Sequence, residues 1–163
     1  MSGAQTRDET DAAFAGPIHA TSVAIGGQAV LLRGPSGSGK SDLALRLIDR
    51  GATLVSDDYT HVRWAGNGIL ASAMPNIAGQ IEVRGLGIVD MPHIESAPVA
   101  LIIVLTAEDE DPPERHPLAL ATALLCGNRL PMLNQRAFEA SAPIKVELAL
   151  RQLTGIIFPA GTT

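Results

Sequence analysis

The sequence contains few aromatic residues and a single cysteine. Aromatic side chains make up 3% of the 163 residues, whereas hydrophobic residues together make up 46%. A buried core must therefore be built from Leu, Ile, Val and Ala side chains. The lone Cys126 excludes an internal disulfide and any metal site of several cysteines, and it is consistent with a reducing cytosol.

Two further absences narrow the class of protein. The chain has no excess of basic residues, since its net charge is −5. This argues against a nucleic-acid partner, because such binding needs a basic face. No apolar run has the length needed to span a bilayer, and the polar, acidic residues 6–11 are unlike a signal peptide. We therefore expect a cytoplasmic protein without a membrane partner.

What the sequence does contain is a phosphate-binding motif. It consists of Gly34, Pro35, Ser36, Gly37, Ser38, Gly39, Lys40 and Ser41. This run fits the pattern G-x-x-x-x-G-K-[ST] at every fixed position. Its glycines let the backbone wrap a phosphate with inward N–H groups, Lys40 brings positive charge to the β- and γ-phosphates of a nucleotide, and Ser41 is placed to ligate Mg²⁺.

The residues around the motif predict one α/β domain with a mixed sheet, several hairpins and few helices. An apolar strand precedes the phosphate loop and an amphipathic helix follows it, so the helix N-terminus faces the nucleotide. Strands are expected at 18–25, 29–32, 53–55, 59–64, 69–73, 99–105 and 130–133, and helices at 41–50, 118–125 and after Ser141. The hairpin over 59–73 is expected at a sheet edge. We predict a disordered leader over 1–16, an ordered domain over 17–155 and a tail over 156–163.

Asp57 and Asp58 follow the apolar strand that comes after the phosphate loop and its helix. In a parallel sheet, both carboxylates would then lie at the C-terminal end of a strand, beside the loop, where ligands bind in open α/β sheets. Adjacent residues at a strand end point to opposite sides. One carboxylate can therefore face a metal ion and the other an acceptor hydroxyl. An ordinary Asp-Asp turn is the alternative, which the nearby loop disfavours.

Four other polar residues are open to two interpretations. Glu82 and Arg84 lie in a glycine-rich apolar stretch, where they can form a structural ion pair or reach Mg²⁺ and a phosphate. A lone histidine such as His19 is more often packed or exposed than catalytic, and no pair of histidines has the spacing of zinc ligands. Arg115 lies in a proline-rich loop, which suits a functional residue or a solvated surface arginine.

Three segments together resemble HPr kinase/phosphorylase. They are the phosphate motif, Leu54-Val55-Ser56-Asp57-Asp58 and Glu82-Val83-Arg84-Gly85-Leu86-Gly87-Ile88-Val89-Asp90. The third segment is the specific one. The resemblance implies the P-loop fold shared by HPr kinase and PEP carboxykinase, with a kinase/phosphorylase domain over 17–155. It implies phosphorylation, by ATP and Mg²⁺, of a serine of HPr, the phosphocarrier protein of the bacterial sugar phosphotransferase system, and its removal by inorganic phosphate.

The resemblance also implies roles for individual residues in phosphate transfer. Asp58 matches the residue that accepts the serine proton, and His19 matches the histidine that assists it. Lys40 is the lysine of the phosphate loop. Arg115 aligns with an arginine in the family's D-R-L-G segment.

The metal and phosphate contacts are implied in the same way. Ser41 and Glu82 match the Mg²⁺ ligands, and Asp57 supports the metal. Arg84 is a candidate for a phosphate contact from its position in the sequence, and not from the resemblance. Residues 142–145, which end at Lys145, resemble the family's P-G-R-N segment, which is linked to dephosphorylation.

The chain resembles the short form of this family found in some proteobacteria, and the family implies a homo-oligomer, commonly a hexamer. Three other functions remain alternatives: a P-loop kinase of a small hydroxyl metabolite, a GTPase switch and a nucleotide-binding regulator without catalysis. The chain contains no N-K-x-D guanine-reading motif, which disfavours the GTPase. The acidic loop at 106–117 holds one arginine, whereas a metabolite kinase would need an arginine-rich lid.

Overall fold

The computed structural model describes residues 8–107 and 121–155 of the chain. In chain order, the elements in these residues are β1 (Ala15–His19), β2 (Thr21–Ile25), β3 (Gln28–Arg33), α1 (Lys40–Asp49), β4 (Thr53–Ser56), β5 (Tyr59–Trp64), β6 (Ile69–Ala73), β7 (Gln80–Val83), β8 (Gly87–Asp90), β9 (Ser96–Thr106), β10 (Ala121–Leu125), β11 (Asn128–Arg136) and α2 (Ala142–Thr154). A 3₁₀ turn, Pro75–Ile77, lies between β6 and β7. The predicted tail and Arg115 lie outside the described residues.

The described strands form one large mixed sheet and a small separate hairpin. The main path of the sheet is β1-β5-β6-β9-β3-β2-β4, and β10 joins it through β11. Both β3 and β11 pair in parallel with β9, whereas β2 runs antiparallel to its neighbours β3 and β4. β3 and β4 therefore point the same way, and their C-terminal ends meet at one end of the sheet. The mixed sheet with hairpins and few helices is confirmed.

The two faces of the sheet are covered differently. On one face, α1 and α2 pack against Val30, Leu32 and other aliphatic side chains of the sheet. On the opposite face, Leu31 packs with residues of β5, β6 and β10. The alternation of Leu31 and Leu32 between two cores follows from the two-residue repeat of a strand. Each buried leucine of this kind contributes about 2 kcal/mol to the free energy of unfolding.

Three predicted elements differ from the structure. The expected strand over 18–25 is two strands, β1 and β2, which are separated at Ala20. The β5–β6 hairpin lies inside the sheet and not at its edge, because β1 pairs with β5 and β9 pairs with β6. The helix predicted over 118–125 is wrong over its described part, where β10 pairs with β11. Cys126 and Gly127 join these strands with φ values of 47° and 73°, as a two-residue hairpin turn requires.

Residues 8–16 are not a disordered leader. Glu9 forms a two-point ion pair with Arg33, at 2.7 and 3.0 Å, at the end of β3. The backbone N–H of Cys126 donates to the carbonyl of Glu9 at 2.9 Å, and Phe14 packs against the core. These contacts tie the segment to the sheet, and β1 begins at Ala15. The rest of the predicted leader, residues 1–7, lies outside the described part.

α2 begins near the predicted position, with Pro143 in its first turn. Ser141 precedes the helix, and its side chain makes no capping hydrogen bond. Val146 and Leu150 are buried in the core, whereas Leu153 is 39% exposed. Neither α2 nor any other helix in the described ranges has the length and apolarity to cross a bilayer.

Candidate active site

The phosphate loop joins β3 to α1 at the end of the sheet where β3 and β4 finish. Gly37 and Gly39 have φ values of 81° and 100°, a region that side chains disfavour. A Cβ on Gly39 would also lie 2.8 Å from Cβ of Ala137, which is buried. Both the backbone angle and the close packing therefore require glycine at position 39. α1 starts at Lys40, so its positive N-terminal end faces the loop.

The lysine of the motif is folded into the loop. Lys40 is 6% exposed, and its Nζ donates to the carbonyls of Gly34 at 2.7 Å and Pro35 at 3.0 Å. Burial lowers the pKa of Lys40, while the charges of Asp58 and, to a smaller extent, Asp57 act to raise it. The ammonium thus lies in the field of both carboxylates, at a position from which it can turn to a phosphate.

Asp57 is the best-anchored acid of the site. It is 5% exposed. Its Oδ1 accepts hydrogen bonds from the hydroxyls of Ser41 at 2.7 Å and Thr21 at 3.0 Å. Its Oδ2 accepts from the backbone N–H of Glu82 at 3.0 Å. Three donors from α1, β2 and β7 therefore fix both oxygens and hold Asp57 against the serine of the phosphate motif.

Asp58 is exposed and sits in an unusual backbone conformation. Its side chain is 61% exposed, and its φ is 65°. The N–H of Tyr59 donates to the carbonyl of Asp57 at 2.7 Å, which closes a three-residue turn around Asp58. Turns of this kind with positive φ at the central residue are rare and strained. Oδ1 of Asp58 lies 3.1 Å from Nε2 of His19, whose ring centroid is 5.2 Å from that of Tyr59.

A cavity of about 310 Å³ opens beside the two aspartates. Its walls are the acidic turn, which is residues 56–59, the 3₁₀ segment and the β7–β8 hairpin. The residues that line it are Pro17, Asp57, Asp58, Tyr59, Met74, Asn76, Ile77, Gln80, Glu82 and Ile88. The cavity therefore borders both aspartates, and Lys40 is not among its lining residues.

The structure brings most of the predicted site residues together. Glu82 lines the cavity with the two aspartates, and its side chain is exposed. Arg84 lies beside the phosphate loop, since Nη2 would be 4.0 Å from a Cβ on Gly37. This position favours the phosphate interpretation of Arg84 over an ion pair with Glu82. Lys145, in the first turn of α2, instead pairs with Glu139 at 2.8 Å.

Two features of the site escaped the sequence analysis. Thr21 is buried and bonded to both aspartates, to the carboxylate of Asp57 and to the backbone N–H of Asp58. Ala137 and Phe138 contact Gly39 from 98 or more positions along the chain. The one signal for Thr21 was a polar residue inside an apolar strand, two positions after His19. No local pattern indicated the contact of residues 137 and 138.

The donor set suits a magnesium ion that is held together with a nucleotide. The Ser41 hydroxyl and the Asp57 carboxylate meet at 2.7 Å, and Glu82 follows on the adjacent hairpin. Within the described ranges, no three His, Cys, Asp or Glu side chains are grouped so that they could hold a metal by themselves. Mg²⁺ in kinases uses one or two carboxylates, water and substrate phosphates, so a sparse set of this kind fits. Ser38 Oγ is buried in the loop and has no hydrogen-bond partner within the described residues, which suits a phosphate ligand.

The fold and the site define a P-loop domain of the α/β class. The chain belongs to the family described as HPr Serine kinase C-terminal domain, whose sequence profile matches residues 12–125. The matched region runs from just before β1 to the end of β10 and includes the phosphate loop, the acidic turn and the β7–β8 hairpin. The family and fold predictions are confirmed.

Individual relatives agree with this family. The chain is 43% identical over 75 residues to an HPr kinase/phosphorylase of Exiguobacterium sibiricum, covering 45% of this chain and 24% of that protein. It is 40% identical over 102 residues to an HPr kinase/phosphorylase of Caldanaerobacter subterraneus, covering 58% and 33%. The chain therefore spans at most about a third of the length of these curated relatives.

A solved structure shows the same architecture. The structure of the Hpr(Ser) kinase/phosphatase from Coxiella burnetii superimposes with a TM-score of 0.73 at 29% sequence identity. The alignment covers 83% of this chain and 88% of that one. The similarity therefore extends over the domain and is not confined to the phosphate loop.

Proposed function

We propose that this protein transfers the γ-phosphate of ATP to a serine of HPr, with Mg²⁺, and catalyses the reverse phosphorolysis. One observation carries the proposal. The phosphate loop and two aspartates in different environments meet at one end of the sheet: Asp57 on Ser41 and Asp58 on His19. Phosphoryl transfer needs one carboxylate that binds the metal ion and another that accepts the proton of the acceptor hydroxyl. Membership of the family and the names of the relatives support it.

In the forward direction, the acceptor hydroxyl enters from the cavity side. Asp58 takes the serine proton as the serine oxygen attacks the γ-phosphorus, the bond to the β-phosphate oxygen breaks, and ADP leaves. His19 orients the Asp58 carboxylate through its hydrogen bond. Lys40 exchanges its loop carbonyls for phosphate oxygens. Mg²⁺, held by Ser41 and Asp57 with Glu82 nearby, would neutralise charge on the transferring group.

In the reverse direction, inorganic phosphate occupies the part of the phosphate loop that holds the β-phosphate of the nucleotide in the forward direction. A phosphate oxygen attacks the phosphorus of phosphoserine, and pyrophosphate forms as the serine oxygen departs. Asp58 returns the proton to that oxygen, as microscopic reversibility requires. The same side chain therefore acts as base in one direction and as acid in the other. Arg84, beside Gly37, is placed to contact the incoming phosphate, and we retain Lys145 as a candidate for the same role. Arg115 is retained as a candidate for holding the charge that develops on the transferring group.

The exposure of the site favours a protein acceptor over a small metabolite. The Asp58 side chain is 61% exposed, so a folded partner can bring a serine to it. Ile88, which lines the cavity, is 64% exposed, and Leu86, on the same β7–β8 hairpin, is 78% exposed. Small-molecule kinases instead bury most of the substrate surface in a closed pocket. We propose the cytoplasm as the compartment and a homo-oligomer as the assembly.

The test is phosphate transfer in both directions. The purified chain is incubated with HPr, Mg²⁺ and ATP, and intact-protein mass spectrometry follows the serine phosphate. Excess inorganic phosphate is then added, and pyrophosphate release is measured. A parallel reaction offers a panel of small hydroxyl compounds, and a third omits Mg²⁺.

We expect HPr to be phosphorylated only with Mg²⁺, and the phosphate to leave as pyrophosphate. Transfer to a small compound but not to HPr would establish the metabolite kinase instead. ATP binding without transfer to any acceptor would establish the regulator without catalysis.

A further inference from the structure

One buried hydroxyl that no proposed chemical step uses contacts both aspartates of the acidic turn. Thr21, the first residue of β2, is 0% exposed. Its Oγ1 donates to Oδ1 of Asp57 at 3.0 Å and accepts from the backbone N–H of Asp58 at 3.1 Å. A hydroxyl has one donor and two acceptor positions. A single side chain therefore holds the carboxylate of one aspartate and the backbone of the other.

The hydrogen bond from the Asp58 N–H to Thr21 lies at a strained point of the backbone. Asp58 has a φ of 65°, which is uncommon for a residue with a side chain and costs conformational free energy. The Asp58 N–H points to Thr21, and the next N–H, of Tyr59, closes the turn on Asp57. Ser56 Oγ holds the other side by donating to the Tyr59 carbonyl at 2.6 Å. Two buried hydroxyls thus fix the turn, but only that of Thr21 reaches the aspartates.

The same short stretch of chain also controls the Asp58 side chain. His19 lies two residues before Thr21 and contacts Oδ1 of Asp58. The end of β1 thereby fixes the carboxylate, and the start of β2 fixes the backbone. We propose that Thr21 is a positioning residue, which aims Asp58 at the acceptor hydroxyl while it holds Asp57 at Ser41. This inference rests on the proposed transfer reaction.

The chain offers a matched control one residue away. Ser22 is also 0% exposed, and its hydroxyl bonds to Thr60 Oγ1 at 2.9 Å and to the Ser56 carbonyl at 3.5 Å. It touches neither aspartate in these contacts. A loss of buried hydrogen bonding alone should therefore affect Ser22→Ala and Thr21→Val similarly, whereas a loss of positioning should affect only Thr21→Val.

The experiment compares Thr21→Val, Thr21→Ser and Ser22→Ala. Valine keeps the shape without the hydroxyl, and serine keeps the hydroxyl without the methyl. For Thr21→Val we expect kcat for HPr phosphorylation to fall about 30-fold, with KM for MgATP within about threefold of wild type. Thr21→Ser and Ser22→Ala should keep kcat within about threefold. Melting temperatures of all variants establish that they fold.

A second measurement does not need activity. Hydrogen exchange of the Asp58 amide, read by NMR, should be at least about tenfold faster in Thr21→Val and unchanged in Ser22→Ala. An unchanged Asp58 exchange rate, an unchanged kcat, or an equal loss of kcat in Thr21→Val and Ser22→Ala would each overturn the positioning role. If wild type fails to phosphorylate HPr, the proposed function fails, while the exchange rates still decide whether Thr21 holds the turn.

Discussion

The phosphate loop and the acidic turn lie at the same end of the sheet but are held in different ways. The loop, residues 34–41, closes on itself, since Lys40 bonds to two of its own carbonyls. The acidic turn, residues 56–59, is held largely by side chains from β1 and β2, namely His19 and Thr21. The loop is thus mainly a local structure, whereas the turn is correct only after the sheet has formed around it. Nucleotide binding and transfer should therefore be separable by mutation.

The largest effect is expected on the turn side. Asp58→Asn removes the proton acceptor but leaves the loop intact, so kcat should fall about 10³-fold or more while ATP affinity stays near normal. Kinetics of HPr phosphorylation and calorimetric titration with ATP measure the two quantities. The control is Asp42→Asn, on an exposed acid that pairs with Arg46 at 3.0 Å. An unchanged kcat in Asp58→Asn would exclude Asp58 as the base.

The second prediction concerns a substitution in the phosphate loop, Gly39→Ala, which should disrupt the loop. Gly39→Ala must accommodate a φ of 100° and a Cβ 2.8 Å from that of Ala137. Strain and overpacking together should lower the free energy of unfolding by about 3 kcal/mol and abolish ATP binding. Gly66→Ala has a similar φ of 94° but open space around the new Cβ, so it should lose only about 1 kcal/mol. Urea unfolding measures the free energy of unfolding of both variants. Equal decreases would show that the contact between the loop and Ala137 does not add to the cost of Gly39→Ala.

A smaller effect is expected where only the orientation of the base is changed. His19→Gln keeps a hydrogen-bonding side chain but changes its length and shape, so the Asp58 carboxylate should be oriented less well. We expect kcat to fall about tenfold with little change in KM for MgATP. His61→Gln, on β5, serves as the control because His61 lies outside the cavity lining. A large rise in KM for MgATP instead would mean that His19 acts on the nucleotide side and that the two regions are not separable.

The smallest expected effect is a change in the pKa of Lys40, in the phosphate loop, when the charge of Asp58, in the acidic turn, is removed. Burial lowers the pKa of Lys40, and Asp58 opposes this shift. Asp58→Asn should therefore lower the pKa of Lys40 further, as measured by NMR of the lysine side chain. The chain has only one other lysine, Lys145, so Lys145→Arg assigns the signals. An unchanged pKa would mean that the charge of Asp58 does not reach the loop.

The same shift has a consequence for stability. Because the pKa of Lys40 is lower in the folded state than its ordinary value of 10.5, the unfolded chain binds more protons between the two values. The contribution of Lys40 to the free energy of unfolding should therefore become more favourable as pH rises through this interval. Urea unfolding of wild type and Lys40→Met between pH 8 and 10.5 measures the difference. A difference that is independent of pH would contradict the lowered pKa.

The contrast between loop and turn also explains what the sequence could predict. The loop motif was recognisable because its requirements are local: glycines for positive φ, a lysine and a serine at fixed offsets. The aspartates could be placed beside it from the order of strand and helix. The bonds of Thr21 could not be predicted, because they depend on a register in β2–β4 pairing that shifts between Ser22 and Val23.

Two wrong predictions have a related cause. Residues 121–125, rich in alanine and leucine, suit a helix by local preference, but pairing with β11 makes them a strand. Residues 8–16 have few large apolar side chains, and the ion pair between Glu9 and Arg33 joins positions that no short-range pattern connects. In both cases a contact between distant parts of the chain outweighs local preference.

β9 pairs with the strands that support both the phosphate loop and the acidic turn. Its first residues pair with β6, and its later residues pair with β3 and β11. β3 leads into the phosphate loop, and β6 is the partner of β5, which begins at the acidic turn. Separating β9 from its neighbours would dismantle both regions at once, so local opening there belongs to one cooperative unit. Loss of β9 pairing should therefore remove ATP binding and phosphate transfer together, whereas the side-chain substitutions above separate them.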